Sequence, residues 1–210
     1  MIGAAVREQV LATARAMNSH GLNRGVSGNV SVRSGKGFWI TPSALPYDQC
    51  TPEDMVWLDG AGQAKGRRKP SSEWRMHADI YRTYSRAGAV LHTHSPYCTT
   101  LACLERPIPA FHYMVAMAGG DSIRCASYAT FGTQALSDTV IEALRDRSAA
   151  LLAHHGMICY GDDLDHVLAL AIEVETLAQI YLQALAVAKP LVLPAGEMDE
   201  VLRLFKDYRP

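Results

Sequence analysis

Residues 89–94, Ala89-Val90-Leu91-His92-Thr93-His94, form an apolar run that closes on two histidines one residue apart. So short a run reads as a buried strand. The side-chain period of two turns both imidazoles toward one face while Thr93 points away, so two metal ligands are placed in advance. Taken alone, His-x-His is also a chance pair on a half-buried strand. A second run, Leu151 to His155, reads as a strand ending in a histidine pair before Gly156. Neighbouring strand residues face opposite sides, so one of His154 and His155 can join the first pair, and periodicity does not choose between them. Three neutral imidazoles suit zinc and leave a fourth position open, the arrangement of a catalytic ion. His20, His77, His112 and His166 have no ligand spacing and read as surface or packing residues.

Outward from this run, helices and strands alternate. Val6, Val10, Leu11 and Met17 recur at helical spacing, and Gly21 can close that helix in the left-handed conformation. Val30 to Val32, Phe38 to Thr41 and Met55 to Leu58 read as neighbouring antiparallel strands separated by Gly- and Pro-containing turns. Ser71 and Ser72 supply a polar N-cap, and Glu73 an acidic first turn, for a helix reaching about Arg86. Pro96 to Leu104 reads as a short helix, Ile123 to Ala126 as a strand, Thr133 to Arg145 as a helix, and Leu151 to Tyr160 as strands interrupted at Gly156. Asp162 or Asp163 can cap a long helix from Leu164 to about Ala188, and a last helix follows near Glu197 to Phe205. The expected fold is α/β: one domain over residues 1–210, with a central mixed, largely antiparallel sheet covered by helices on both faces.

With 20 basic against 21 acidic residues the net charge is -1, so no field over the whole molecule gathers nucleic acid or an anionic membrane, and any anion needs a local site. Unbroken apolar stretches such as Val167 to Ile172 fall far short of the ~20 residues of a membrane helix. The five cysteines include no CxxC pair, and Arg7 and Glu8 stand where a signal peptide needs an apolar core, so reduced thiols and a cytoplasmic location are expected. Three hydroxyl-rich segments can supply the local site: Ser27-Gly28-Asn29, Thr41-Pro42-Ser43-Ala44, and Ser71-Ser72 at a helix N-terminus. Tight turns direct amides outward, and the dipole of a helix start favours a phosphate. Glu73 directly follows the serines, within reach of a substrate whose phosphate they hold.

Ser27-Gly28-Asn29, Thr41-Pro42-Ser43, Pro70-Ser71-Ser72-Glu73-Trp74, His92-x-His94 and His154-His155-Gly156 together resemble the class II aldolase and adducin family. The likeness runs from Gly28 through Tyr160, takes in Ala118-Gly119-Gly120 and Tyr128 to Gly132, and continues more weakly to Tyr208. It implies a zinc-dependent aldolase that reversibly splits a ketose 1-phosphate, of the fuculose or 5-deoxypentulose and methylthioribulose kind, into dihydroxyacetone phosphate and an aldehyde. By that resemblance His92, His94 and His155 bind one zinc per subunit, and Glu73 serves beside it as acid or base. Gly28, Asn29, Ser43, Ser71 and Ser72 would hold phosphate. Ala44 is the chief departure, since the family's phosphate loop has glycine there, and its methyl is tolerable if φ stays negative. The resemblance further implies a homotetramer with active sites between subunits, Tyr113 of a neighbour and the C-terminal Tyr208 at the aldehyde end, and Phe131 lining it. Epimerases, dehydratases and decarboxylases are similar in the same motifs, and adducin-like heads share the fold without catalysis.

Overall fold

In the computed structural model, which describes residues 2–205, the chain opens on α1 (Ile2–Ser19), whose Val10, Leu11, Ala14 and Met17 are buried at helical spacing. Gly21 follows at φ 73°, the left-handed turn that ends the helix. Strands β1 (Asn29–Ser34), β2 (Gly37–Ile40) and β3 (Val56–Asp59) then pair antiparallel in succession. A two-residue β4 (Ala64–Lys65) edges them. Next come α2 (Trp74–Thr83), β5 (Ala89–Thr93), α3 (Pro96–Cys103) and the short β6 (Ile108–Pro109). After a 3₁₀ turn at Tyr113–Ala118 the chain continues through β7 (Ser122–Ala126), α4 (Gln134–Ala143), β8 (Ala149–Leu152), β9 (Gly156–Gly161), α5 (Leu164–Val187) and α6 (Ala195–Phe205).

The nine strands form one sheet in the order β4-β3-β2-β1-β5-β9-β8-β7-β6. Only β7 and β8 run parallel, so the expected mixed, mostly antiparallel sheet is what forms. β5 lies between β1 and β9 with all five residues buried, as its nearly continuous apolar run requires. Alternate residues divide between two cores. Ala89 and Leu91 join α1, α3 and α5 on one face, and Val90 joins Met76 and Ile80 of α2 and Val140 of α4 on the other. Among the described residues α5 is the one helix long and apolar enough to cross a membrane; Glu173 and Glu175 had broken its apolar stretches in the sequence. Its Val167, Leu170, Ala171, Val174, Leu177 and Ala178 are buried in the core instead. All five cysteines are free.

Three local expectations change. Glu73 itself is the N-cap of α2, with Ser71 and Ser72 in the preceding turn, because Ser71 Oγ accepts the Glu73 amide at 3.3 Å. The second histidine pair lies off the strand: β8 stops at Leu152, residues 153–155 form the turn into β9, and Gly156 begins that strand. Ala44 has φ 55°, not the negative value its methyl led us to expect. The loop keeps the left-handed backbone of a glycine, at a steric cost of about 1 kcal/mol. Asp163 settles the open choice of cap for α5, its carboxylate accepting the His166 amide at 2.8 Å.

Gly156 ties this turn to β5. A Cβ there would overlap the Thr93 carbonyl and stand 3.2 Å from Cδ2 of His94. Gly156→Ala is therefore expected to lower stability by about 1–3 kcal/mol, the range for overpacking. It should also reduce the metal bound per chain. A urea midpoint and metal content equal to the parent's would contradict this account of the hairpin.

Candidate metal centre and anion cleft

Pairing of β5 with β1 and β9 sets His92 opposite Asn29 on one side and Ile158 on the other. His94 lies one residue beyond β5, and the turn between β8 and β9 delivers His155. The three rings are mutually T-shaped, with centroids 4.9, 4.8 and 4.8 Å apart and interplanar angles of 73°, 72° and 71°. Nε2 of His92 and Nε2 of His94 are 3.0 Å apart. Glu73 closes the group, its Oε2 3.3 Å from His92 Nε2 and its Oε1 3.1 Å from His155 Nε2. One ligand atom from each of the four side chains lies within 4.8 Å of the others.

These atoms fit a divalent cation. His92 Nδ1 faces the Met157 carbonyl at 2.8 Å, an acceptor only, so Nδ1 carries the hydrogen and Nε2 presents a bare lone pair to the centre. Glu73 Oε1 is buried and makes no hydrogen bond of proper geometry, which a cation would remedy. Burial pushes His92 down to about 3 and also lowers His94, so both imidazoles are neutral and able to ligate at pH 7. Burial works upward on Glu73, but His92, His155 and the Asn29 amide outweigh it and hold the carboxyl well below its ordinary range. Three nitrogens and one carboxylate oxygen form a donor set that suits zinc. His154 stays outside the group: at φ 55° its half-exposed ring turns to Glu105, 3.1 Å away, and edges Tyr128.

A cleft of about 350 Å³ opens over the centre, lined by Gly28, Asn29, Ser43, Ala44, Ser71, Ser72, Glu73, His94, His155 and Phe131 among others. All three hydroxyl-rich segments reach it, but not every amide is free. The Ser43 amide donates to Lys69 O at 3.0 Å and the Ser71 amide to Thr41 O at 3.1 Å, because an isolated bridge joins Pro42 to Pro70. The amides of Ala44 and Ser72 have no backbone acceptor among the described residues. Gly28, at φ 73°, has no room for a side chain: a Cβ would collide with Asn23 and stand 2.6 Å from the His92 carbonyl. Phe131 is exposed at the mouth. Tyr113 lies apart from the cleft lining, half exposed at the start of the 3₁₀ turn, its ring centroid 5.0 Å from that of His112. Tyr208 falls outside the described residues.

Three supporting residues escaped the sequence reading. Asn23 Oδ1 accepts the His94 amide at 3.2 Å, tying the first loop to the candidate metal centre. Glu175 of α5 accepts from Ser95 Oγ at 2.6 Å and from the amides of Tyr97 and Cys98 at 2.8 and 2.9 Å, which anchors the chain just past His94. Neither shows any spacing that points to these partners. His77, read as a packing residue, is fully buried beneath Asn29, and its place four residues after Glu73 on α2 was a usable signal.

Burial also pushes His77 down to about 3, as it does His92. Below about pH 6.5 the unfolded chain takes up protons at these residues that the folded metal-free protein refuses until near pH 3, so stability is lost as pH falls through that window. Glu73, also lowered, acts in the same direction below its ordinary range. The urea midpoint of the metal-free protein is expected to be level above pH 7 and to decline steadily toward pH 4. A midpoint that rises on acidification would contradict neutral burial.

The profile described as Class II Aldolase and Adducin N-terminal domain matches residues 8–182. The chain is 53% identical over 204 residues to 5-methylthioribulose-1-phosphate/5-deoxyribulose-1-phosphate aldolase of Rhodospirillum rubrum, covering 97% of this chain and 92% of that one. It is 48% identical over 201 residues to L-fuculose phosphate aldolase of Escherichia coli strain K12, covering 95% and 94%. Among solved structures, an L-fuculose 1-phosphate aldolase superposes with a TM-score of 0.93 at 37% identity, covering 96% of each chain. By sequence over nearly its whole length, and by fold, this chain belongs to the class II aldolase and adducin family.

Proposed function

We propose that the protein is a class II aldolase that reversibly cleaves a ketose 1-phosphate into dihydroxyacetone phosphate and an aldehyde, with zinc as its metal. The observation that carries this reading is the complete group of His92, His94, His155 and Glu73 at the base of a cleft walled by the serine loops. A non-catalytic adducin-like head has no need of all four. The relatives named above are aldolases of L-fuculose phosphate and of 5-methylthioribulose and 5-deoxyribulose 1-phosphates, which supports a substrate of that class.

His92, His94 and His155 would hold the cation, with Glu73 beside them. When bound, it supplies Lewis-acid stabilisation to the negative charge that develops as the bond between the third and fourth carbons breaks. The residues do the rest. Ser43, Ser71, Ser72, Gly28 and Asn29, with the loop amide of Ala44, grip the phosphate and fix the reacting carbons over the metal site, an effect worth several powers of ten in effective concentration. The fourth-carbon hydroxyl must lose a proton as its carbon becomes the aldehyde, and Tyr113 of a neighbouring subunit is the proposed route for it. The carbanionic third carbon must then gain a proton, and Glu73 is the proposed donor. Because Glu73 is held ionised at rest, it has first to take up the proton released from the hydroxyl, and the two transfers balance within one turnover. Phe131 and Tyr208 are proposed to line the aldehyde end.

The tetrameric arrangement belongs to this reading. It is supported by Tyr113, which is half exposed and lies outside the lining of its own chain's cleft. Free cysteines support a reducing cytoplasm as its compartment.

Incubation with L-fuculose, 5-deoxyribulose and 5-methylthioribulose 1-phosphates, with and without chelator, is expected to release dihydroxyacetone phosphate only in the metal-loaded protein; an epimerised or dehydrated product would overturn the assignment. Glu73→Gln should retain metal through the three histidines and lower kcat by about 10²-fold, the scale of lost acid-base catalysis. Mixing the impaired Glu73→Gln and Tyr113→Phe chains after dissociation should raise activity above that of either variant alone if the site is shared between subunits. No recovery in verified mixed oligomers would place Tyr113 outside it.

A further inference from the structure

Beneath the cleft a chain of buried polar groups leads away from the metal centre. Asn29 Nδ2 lies 2.9 Å from Glu73 Oε2, Asn29 Oδ1 2.6 Å from His77 Nε2, His77 Nδ1 2.7 Å from Ser31 Oγ, and Ser31 Oγ 2.7 Å from the Tyr81 hydroxyl. Asn29, Ser31, Glu73, His77 and Tyr81 are all nearly or fully buried. The arrangement follows from two periodicities meeting. Glu73, His77 and Tyr81 recur every four residues on one face of α2, and Asn29 and Ser31 every two on the facing side of β1.

The direction of every bond is fixed from the carboxylate end. Ionised Glu73 can only accept, so Asn29 must donate through Nδ2 and turn Oδ1 toward His77. That oxygen can only accept, so His77 must carry its hydrogen on Nε2 and leave Nδ1 bare. Ser31 must then donate to Nδ1, and Tyr81 to Ser31. The chain does not serve as a proton wire: it ends at a buried phenol, and a neutral amide interrupts it. What it does determine is which end of the Asn29 amide faces the cleft. The second Nδ2 hydrogen has no protein acceptor among the described residues, and Asn29 lines the cleft.

We propose that His77 is a positioning residue whose Nε2–H tautomer, set from the Glu73 carboxylate through Asn29 and supported by donation from Ser31 to Nδ1, locks the Asn29 amide with its donor group toward Glu73 and the substrate phosphate. A flipped amide would set a carbonyl oxygen against both the Glu73 carboxylate and the incoming anion. With His77 in place, that flip would also leave two donors facing each other. The inference rests on the anion-cleft reading given above and assigns a role to a residue that touches neither substrate nor metal.

Long-range ¹H–¹⁵N correlation NMR on the zinc-loaded protein is expected to show His77 with a protonated Nε2 and a bare Nδ1. Inorganic phosphate binding, followed by titration calorimetry, should weaken about tenfold or more in His77→Leu, the scale of a lost hydrogen bond to a charged group. KM for the ketose 1-phosphate should rise by a similar factor, with a smaller change in kcat. His77→Gln, which keeps a donor for Asn29, should remain within about threefold of the parent, less than the loss of one such bond. Ser31→Ala, which keeps the imidazole but removes the donor to Nδ1, should weaken phosphate in the same direction, and it decides the matter if His77→Leu does not fold. An Nδ1–H tautomer, or parental phosphate affinity in folded His77→Leu or Ser31→Ala, would overturn the proposal. Parent protein that fails to bind phosphate would overturn the cleft reading, and the tautomer then decides the role of His77 separately.

Discussion

Three imidazoles and a carboxylate meet at one point only because β5 lies directly against both β1 and the hairpin of β8 and β9. His92 projects from a strand that is buried along its whole length, where burial keeps its ring neutral and the Met157 carbonyl on β9 selects its tautomer. The strand pairing that closes the core therefore also prepares the ligand. Anything that separates β5 from β9 removes a core contact and a metal ligand together, which couples stability to metal binding.

The cleft is assembled from segments with no sequence proximity. The start of β1, the loop after β2 and the turn before α2 are drawn together by the bridge between Pro42 and Pro70 and by hydrogen bonds that exchange Thr41, Ser43, Lys69 and Ser71. Those bonds occupy two amides expected to face an anion and leave the hydroxyls and the remaining amides to face the cleft. Ala44 bears part of this geometry as strain, holding a glycine-like backbone with a methyl attached. Backbone strain in a cleft-lining loop persists when surrounding contacts overdetermine it, as the paired loops do here.

The helices were legible because each shows its apolar face at a spacing of three to four, and the long strands because each alternates or is wholly apolar. β4 and β6, at two residues each, are too short to carry a period, and the 3₁₀ turn at Tyr113–Ala118 has none of the α-helical spacing. The run from Leu151 to His155 is apolar enough to look like continuous strand, yet it turns at residues 153–155, where His154 takes a left-handed backbone. Residues 153–155 are turn, so their side chains do not alternate between faces as strand residues do. His155 enters the metal group through turn geometry, while His154 is carried out to Glu105.

By itself the sequence determined the two histidines on one face of β5, the alternation of helices with strands, and the hydroxyl-rich composition of three loops, since these follow from local period and residue chemistry. Local pattern left His154 and His155 undecided; the family resemblance named His155 and Glu73, and the tertiary structure bears that out by turning His155 inward, setting Glu73 among the ligands, and adding His77, Asn23 and Glu175 as their supports. Each of those depends on distances between residues tens of positions apart. Such distances are set by strand pairing and the packing of α2 and α5 against the sheet, and no local pattern encodes them.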